Sequence, residues 1–221
     1  MDFTALAATP LFHGCTPGEV EAMLACLGGT ERIFSRGTRI CRAGETVSAL
    51  GVVLAGSVLV EHNDLWGNTT VLDRVGPGQI FAETYACAPA EPLMVDVVAA
   101  EETRVLFLDV RRVLQICSHT CGHHSRLVGN LLTLSAQKNL NLSRKIFHTS
   151  SKTIRGRLLS YLSYQAIRSG SRSFTIPFDR QQLADYLNVD RSALSGELGK
   201  MQREGLLTAE RSRFTLLSDP R

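Results

Sequence analysis

Asp179-Arg180-Gln181-Gln182-Leu183-Ala184-Asp185-Tyr186-Leu187-Asn188-Val189-Asp190-Arg191-Ser192-Ala193-Leu194-Ser195 holds two helix starts separated by one stop. Asp179 stands where an N-cap belongs, and Gln182, three residues on, completes a capping box. Leu183 and Leu187 then share one face of a short helix from Arg180 to Leu187. Asn188-Val189-Asp190 is a three-residue turn. Asp190 can cap a second helix, Arg191 to Glu204, that buries Leu194, Leu198 and Met201, with Gly205 as its stop. Upstream, Phe174–Phe178 reads as a short strand, and Ile154, Leu158, Leu159, Leu162 and Ile167 form another helical face that ends near Gly170. Downstream, Leu206-Leu207-Thr208 and Phe214–Leu217 flank a basic Arg211-Ser212-Arg213 tip, as in a β-hairpin. Two short helices joined by a tight turn and followed by a basic hairpin make a winged helix-turn-helix.

That motif offers the first turn of its second helix to the major groove of double-stranded DNA. With Leu194 and Leu198 turned to the core, Arg191, Ser192 and Ser195 face outward and are the candidate base contacts. Arginine can reach guanine O6 and N7 with two hydrogen bonds at once. Lys152, Arg180, Gln181, Lys200 and Arg213 are candidate phosphate contacts, which supply affinity without sequence choice. The charge distribution agrees. The formal net charge is only +3, but residues 149–221 hold 12 Lys+Arg against 7 Asp+Glu, and residues 1–148 hold 12 against 14. A basic C-terminal third is attached to a slightly acidic body.

The chain as a whole is ordinary in composition, with 44% apolar and 20% charged residues, which excludes intrinsic disorder. Its longest weakly polar run, Ala49–Val60, is too short for a membrane span. Met1-Asp2-Phe3 does not open a secretory signal, and six scattered cysteines (15, 26, 41, 87, 117, 121) are not a disulfide framework. A cytoplasmic protein with reduced thiols is expected. Residues 5–28 are helical in character, with Pro17 in a first turn and Gly28-Gly29 as terminator. From about Ile33 to Leu108, short Val/Ile/Leu runs alternate with glycine, as in a compact sandwich or barrel.

From Val110 to about His148 there is no proline. Val113, Cys117, Thr120, His124, Leu127, Leu131, Leu134, Lys138 and Asn141 advance by alternating fours and threes, a heptad seam. A helix of roughly 30 residues spans about 45 Å, more than one small domain needs. The expected partner for the seam is a second copy of the chain, and the other reading is a long intramolecular helix. The polar stretch His148–Thr153 is the expected hinge. The expectation is an α+β chain in three parts. Residues 1–110 form a double-stranded β-helix (a jelly-roll-like β-roll), residues 111–148 a long dimerisation helix, and residues 149–221 the winged helix-turn-helix.

Gln182–Leu187 followed by Asp190–Ser195 resembles the helix-turn-helix of the CRP/FNR family of bacterial regulators. Gly37-x-x-Ile40, Gly44-Glu45, Val53–Val58 and Gly76-x-Gly78-x-x-Phe81-Ala82-Glu83 resemble that family's cyclic-nucleotide-binding β-roll. The resemblance covers nearly the whole chain in the right order. It implies a homodimer, a near-palindromic operator, an effector bound in the β-roll, and RNA polymerase as a further partner. Two departures stand out. Gly196 occupies the position where the family commonly has Arg, and glycine inside a helix costs up to about 1 kcal/mol relative to alanine. The family's phosphate-holding Arg-Ser pair corresponds to the stretch Pro92-Leu93-Met94-Val95, which has neither residue, and Ala82 replaces the usual Gly. A buried phosphate there would lack charge-assisted hydrogen bonds, so cyclic AMP is not expected. The candidate effector pocket is Phe81, Ala82, Glu83, Cys87, Leu93, Met94 and Leu127. Glu83 matches the family's ribose-contacting carboxylate and reads equally well as a satisfied structural one.

A second candidate site is Cys117, Cys121 and His124, which fall on one helical face, with Cys87 as a fourth ligand from the roll. Soft sulfur and nitrogen ligands suit zinc or an iron–sulfur cluster, and haem through a histidine is a further version. The reading placed first is that the same cysteines are small buried hydrophobes on the seam. The chain has no phosphate loop, no Gly-x-Ser-x-Gly elbow and no His/Asp pair at catalytic spacing, so it is not read as an enzyme.

Overall fold

The computed structural model describes residues 1–64, 66, 68–114 and 122–217. They form two compact units, 1–137 and 138–221. The division falls inside a helix that begins in the first unit and ends in the second.

The first unit opens with helices α1 (Phe3–Ala7) and α2 (Pro17–Leu27). Pro17 sits in the first turn of α2, where its missing N–H is not needed, and Thr16 and Glu19 close a capping box. Gly28, at φ +65°, ends the helix in the left-handed region. Eight strands follow. One four-stranded antiparallel sheet has the order β1 (Thr30–Phe34), β8 (Thr103–Asp109), β3 (Ala49–Ala55), β6 (Ile80–Phe81). The other has the order β2 (Arg39–Cys41), β7 (Asp96–Ala99), β4 (Val58–Asn63), β5 (Thr69–Val75). Helix α3 (Glu83–Cys87) follows β6, and α4 (Val110–Leu114) follows β8.

The first sheet is covered on both faces, which is why β3 and β8 are almost continuously apolar. Leu50, Val52, Leu106 and Leu108 point to a helical core with Leu11, Phe12, Val20 and Leu27. Val53 and Val105 point the other way, into the roll, with Cys41, Val58, Val75, Phe81, Leu93 and Val97. The roll interior is tightly filled around Gly51. That residue pairs with Phe81 across β3 and β6, and a Cβ built on it would lie 2.2 Å from the Phe81 ring. Phe81 in turn meets Phe107 edge-on at 6.3 Å.

Helix α5 (Gly122–Thr149) begins in the first unit. Leu127 and Leu131 join the helical core with Val113, and Leu134 packs against it. Asn130 Nδ2 donates to the carbonyls of Leu11 and His13, and Arg126 Nη1 donates to that of Gly14. The described apolar positions of the predicted seam, Val113, Leu127, Leu131 and Leu134, are therefore turned into their own chain. A different face of α5 is left open. Gly122, Ser125, Gly129, Leu132, Ala136, Asn139, Ser143 and Ile146 are all exposed and repeat at alternating threes and fours.

In the second unit, the end of α5 precedes α6 (Ile154–Ser169), β9 (Ser173–Thr175), α7 (Arg180–Leu187), α8 (Arg191–Arg203), β10 (Leu207–Glu210) and β11 (Arg213–Leu216). The three strands form an antiparallel sheet in the order β10-β11-β9. Leu158, Leu162, Leu183, Leu187, Leu194, Leu198, Met201 and Phe214 make the core. Ile167, read from periodicity as part of the α6 core face, is 81% exposed. The apolar need of α6 is met one turn earlier, by Leu158, Tyr161 and Leu162.

His148, near the end of α5, is buried among aromatic rings. Tyr164, Tyr161 and Tyr186 lie at 5.2, 5.5 and 6.2 Å, and its Nδ1 is 3.2 Å from Ser160 Oγ. Burial, reinforced by the nearby Arg144 cation, holds its pKa below the ordinary 6.5. The unfolded chain therefore takes up a proton before the folded one does. The stability from this site is complete above pH 6.5 and is lost as pH falls through 6.5 toward the lower folded value. Melting of the second unit followed from about pH 8 to about pH 5.5 should show a falling midpoint, and the slope should be shallower in His148→Phe. Equal slopes would show that His148 does not carry the effect.

Candidate DNA interface and effector site

Helix α7 starts at a capping box in which Asp179 accepts from the Gln182 N–H and Gln182 accepts from the Asp179 N–H. It stops at Asn188, which takes the left-handed conformation at φ +53°. Two residues later Asp190 caps α8 by accepting from the N–H groups of Ser192 and Ala193. The Ser192 hydroxyl and the Ala193 N–H hold the Asp190 carboxyl below its ordinary range. That hydroxyl donates to Asp190 Oδ1 at 2.5 Å, so toward a base Ser192 has only acceptor capacity.

Arg191, Ser192 and Ser195 are all exposed at the start of α8. Arg191 lines a cleft of about 640 Å³ with Asp179, Arg180, Gln181, Arg211 and Ser212. Three arginines thus line one cleft between the N-terminus of α7, the start of α8 and the hairpin tip. Arg180 lies over the Phe214 ring at 5.7 Å, and Gln181 donates to Asp185. Lys152 and Arg213 are exposed away from this cleft lining, and Lys200 sits 3.8 Å from Glu197. Arg211 is not among the expected phosphate contacts, although it lies in the basic tip of the hairpin. The deciding feature is its φ of +50°, which turns the hairpin there.

Arg155 fastens α8 to the start of α6. Its Nε donates to Glu197 at 2.6 Å, and its two Nη atoms donate to Glu204 at 2.7 and 2.9 Å. Those bonds raise the Arg155 pKa and lower that of Glu204. Arg157 Nη1 donates to the carbonyls of Leu187 and Asn188, closing the end of α7.

In the roll, Phe81 and Leu93 share the interior cluster, and Ala82 packs against it. Ala82 adopts φ +60°, a left-handed conformation that glycine takes without strain and alanine does not. Glu83 is buried in the first turn of α3. Met94 is 72% exposed, and Leu127 belongs to the helical core, so neither is gathered with Phe81 and Leu93. Backbone bonds from Gly44 to Leu93 and from Leu93 to Glu45 tie the Leu93 segment to the β2–β3 loop. A separate cleft of about 450 Å³ lies under α1, lined by Leu6, Thr9, Val53, Leu54, Gly78 and Arg104 among others. It includes none of the predicted effector residues.

Of the predicted metal ligands, Cys117 and Cys121 lie outside the described residues. His124 Nε2 is 2.7 Å from the Val113 carbonyl, and burial together with the Glu83 charge pushes the Cys87 thiol up, away from thiolate. Among the described residues, no group of three or more His, Cys, Asp or Glu is placed to hold a metal ion. No described helix is long and apolar enough to cross a membrane.

A β-roll followed by a winged helix-turn-helix with an arginine-lined cleft defines a DNA-binding transcription regulator. Residues 31–120 match the cyclic nucleotide-binding domain, and residues 156–221 match the Crp-like helix-turn-helix domain. The chain belongs to the CRP/FNR family of transcription regulators. It is similar to the cyclic AMP receptor protein of Thermus thermophilus, 26% identical over 208 residues covering 91% of this chain and 89% of that one. Solved structures that share the fold include the following three. The catabolite activator protein of Thermus thermophilus is 24% identical with a TM-score of 0.52, covering 94% of this chain and 93% of that one. CprK complexed with OCPA is 16% identical with a TM-score of 0.62, covering 90% and 92%. The c-di-GMP-responsive global regulator CLP of Xanthomonas campestris is 19% identical with a TM-score of 0.55, covering 92% and 100%.

Proposed function

We propose that this regulator acts as a homodimer on a near-palindromic operator, under control of a small effector that is not cyclic AMP. The observation that carries the effector reading is Leu93. It is 3% exposed in an apolar cluster, within the stretch Pro92-Leu93-Met94-Val95 to which the sequence resemblance assigns the family's phosphate-holding Arg-Ser pair. A cyclic phosphodiester seated there would give up water for aliphatic carbon, and burying an unpaired charge is strongly unfavourable. Ala82, strained at φ +60° where the resemblance has glycine, is a second departure in the same roll. The Thermus thermophilus relative is named for cyclic AMP, whereas fold neighbours are named for OCPA and c-di-GMP. The fold is thus compatible with more than one effector chemistry. Titration calorimetry of the full chain with cyclic AMP should give no saturable heat, and a dissociation constant at or below the micromolar range would overturn this reading.

The homodimer reading rests on the open face of α5. Gly122, Ser125 and Gly129 carry little or no side chain, so two helices could approach closely, while Leu132, Ala136 and Ile146 supply apolar contact. Leu140 and Phe147, 51% and 68% exposed, flank that face. A dimer presents two copies of α8 to two half-sites, which is how symmetric operators are read. RNA polymerase is the partner such placement implies, and the cytoplasm is the compartment.

A further inference from the structure

Gly196 and Gly199 lie in the interior of α8, where glycine is, after proline, the poorest helix former. Neither has a positive φ, so the backbone does not require glycine there. A Cβ built on either would meet no heavy atom within 4 Å, so packing does not require it either. Leu194, Leu198 and Met201 are buried on the core side. Helical rotation places Ser192, Ser195, Gly196 and Gly199 together on the opposite side, within an arc of about 100°. The middle of the outward face is therefore made of the smallest side chains, with Arg191 at one edge.

We infer that Gly196 and Gly199 are specificity-determining positions. Their missing side chains let the α8 backbone sit close to the base edges, and direct hydrogen-bond readout falls to Arg191. This rests on the reading of α8 as the recognition helix. Serine hydroxyls accept several base patterns, and that of Ser192 is already committed to Asp190. The expected half-site has one strongly specified guanine, opposite Arg191, beside positions chosen by fit and by DNA shape.

The test is selection from a random duplex library at low salt with the full chain, joined to melting and affinity measurements on the selected duplex. Wild type should enrich one dominant guanine per half-site, and Arg191→Ala should remove it. Gly196→Ala and Gly199→Ala should melt higher, because alanine favours the helix, yet bind the selected duplex several-fold more weakly. Gly196→Arg should add a second specified guanine, preferred by about 5- to 150-fold. Alanine variants that melt higher and bind with unchanged affinity would overturn the inference. So would a wild-type half-site with several strongly specified bases. If neither wild type nor any variant enriches a sequence, the recognition-helix reading itself has failed, and this inference fails with it.

Discussion

Leu132→Glu combined with Ile146→Glu is expected to leave the fold intact and to remove tight binding to a palindromic duplex. Both residues are exposed, at 70% and 68%, so charge placed there disturbs no core of the chain itself. Both lie on the open face of α5, where two copies would bring four carboxylates together. Without the dimer, the second half-site is no longer bound intramolecularly, and linked binding of this kind typically strengthens affinity by about 10²- to 10⁴-fold. Sedimentation should show a monomer, and binding to a single half-site should change little. A variant that still sediments as a dimer would place the interface elsewhere, and a monomeric wild type would remove the dimer altogether.

Gly51→Ala should destabilise the first unit strongly. The new methyl would lie 2.2 to 2.7 Å from three atoms of the Phe81 ring, which itself abuts Phe107. Overpacking of this kind costs about 1–3 kcal/mol, and more where the neighbours cannot yield. Phe81→Leu alone should also destabilise, by opening a cavity. Together the two substitutions should cost clearly less than the sum of their separate effects, because the smaller side chain makes room for the methyl. Denaturant unfolding of the full chain, read on the first unit, measures all three. Strict additivity would show that the ring over Gly51 does not fill the roll.

The helix-turn-helix was legible because its signals are local and chemical. Asp179, Gln182, Asn188, Asp190 and Gly205 each do in the structure what their residue types favour. The long helix was less legible. Val113, Leu127, Leu131 and Leu134 repeat as an interface would, but periodicity reports that a face is covered and not by what. The face left open was hidden because Gly122, Ser125 and Gly129 bring no apolar side chain for a periodicity to register. In the roll, Phe81 and Leu93 share the interior apolar cluster. Leu127 does not, since it lies across the sheet in the helical core. The strain at Ala82 could be suspected only from the residue it replaces.

The Arg155 clasp has a consequence for binding in solution. A cation held at 2.6 to 2.9 Å from two carboxylates already has its counterions built into the protein. Arg157, directed at the backbone carbonyls of Ser151, Leu187 and Asn188, is engaged in another way. Neither is placed to displace the condensed ions of a duplex, whose release into bulk solvent is the entropic source of backbone affinity. The number of ions set free on binding should therefore follow the arginines of the cleft and hairpin, and fall well short of what the 12 basic residues of this third would suggest.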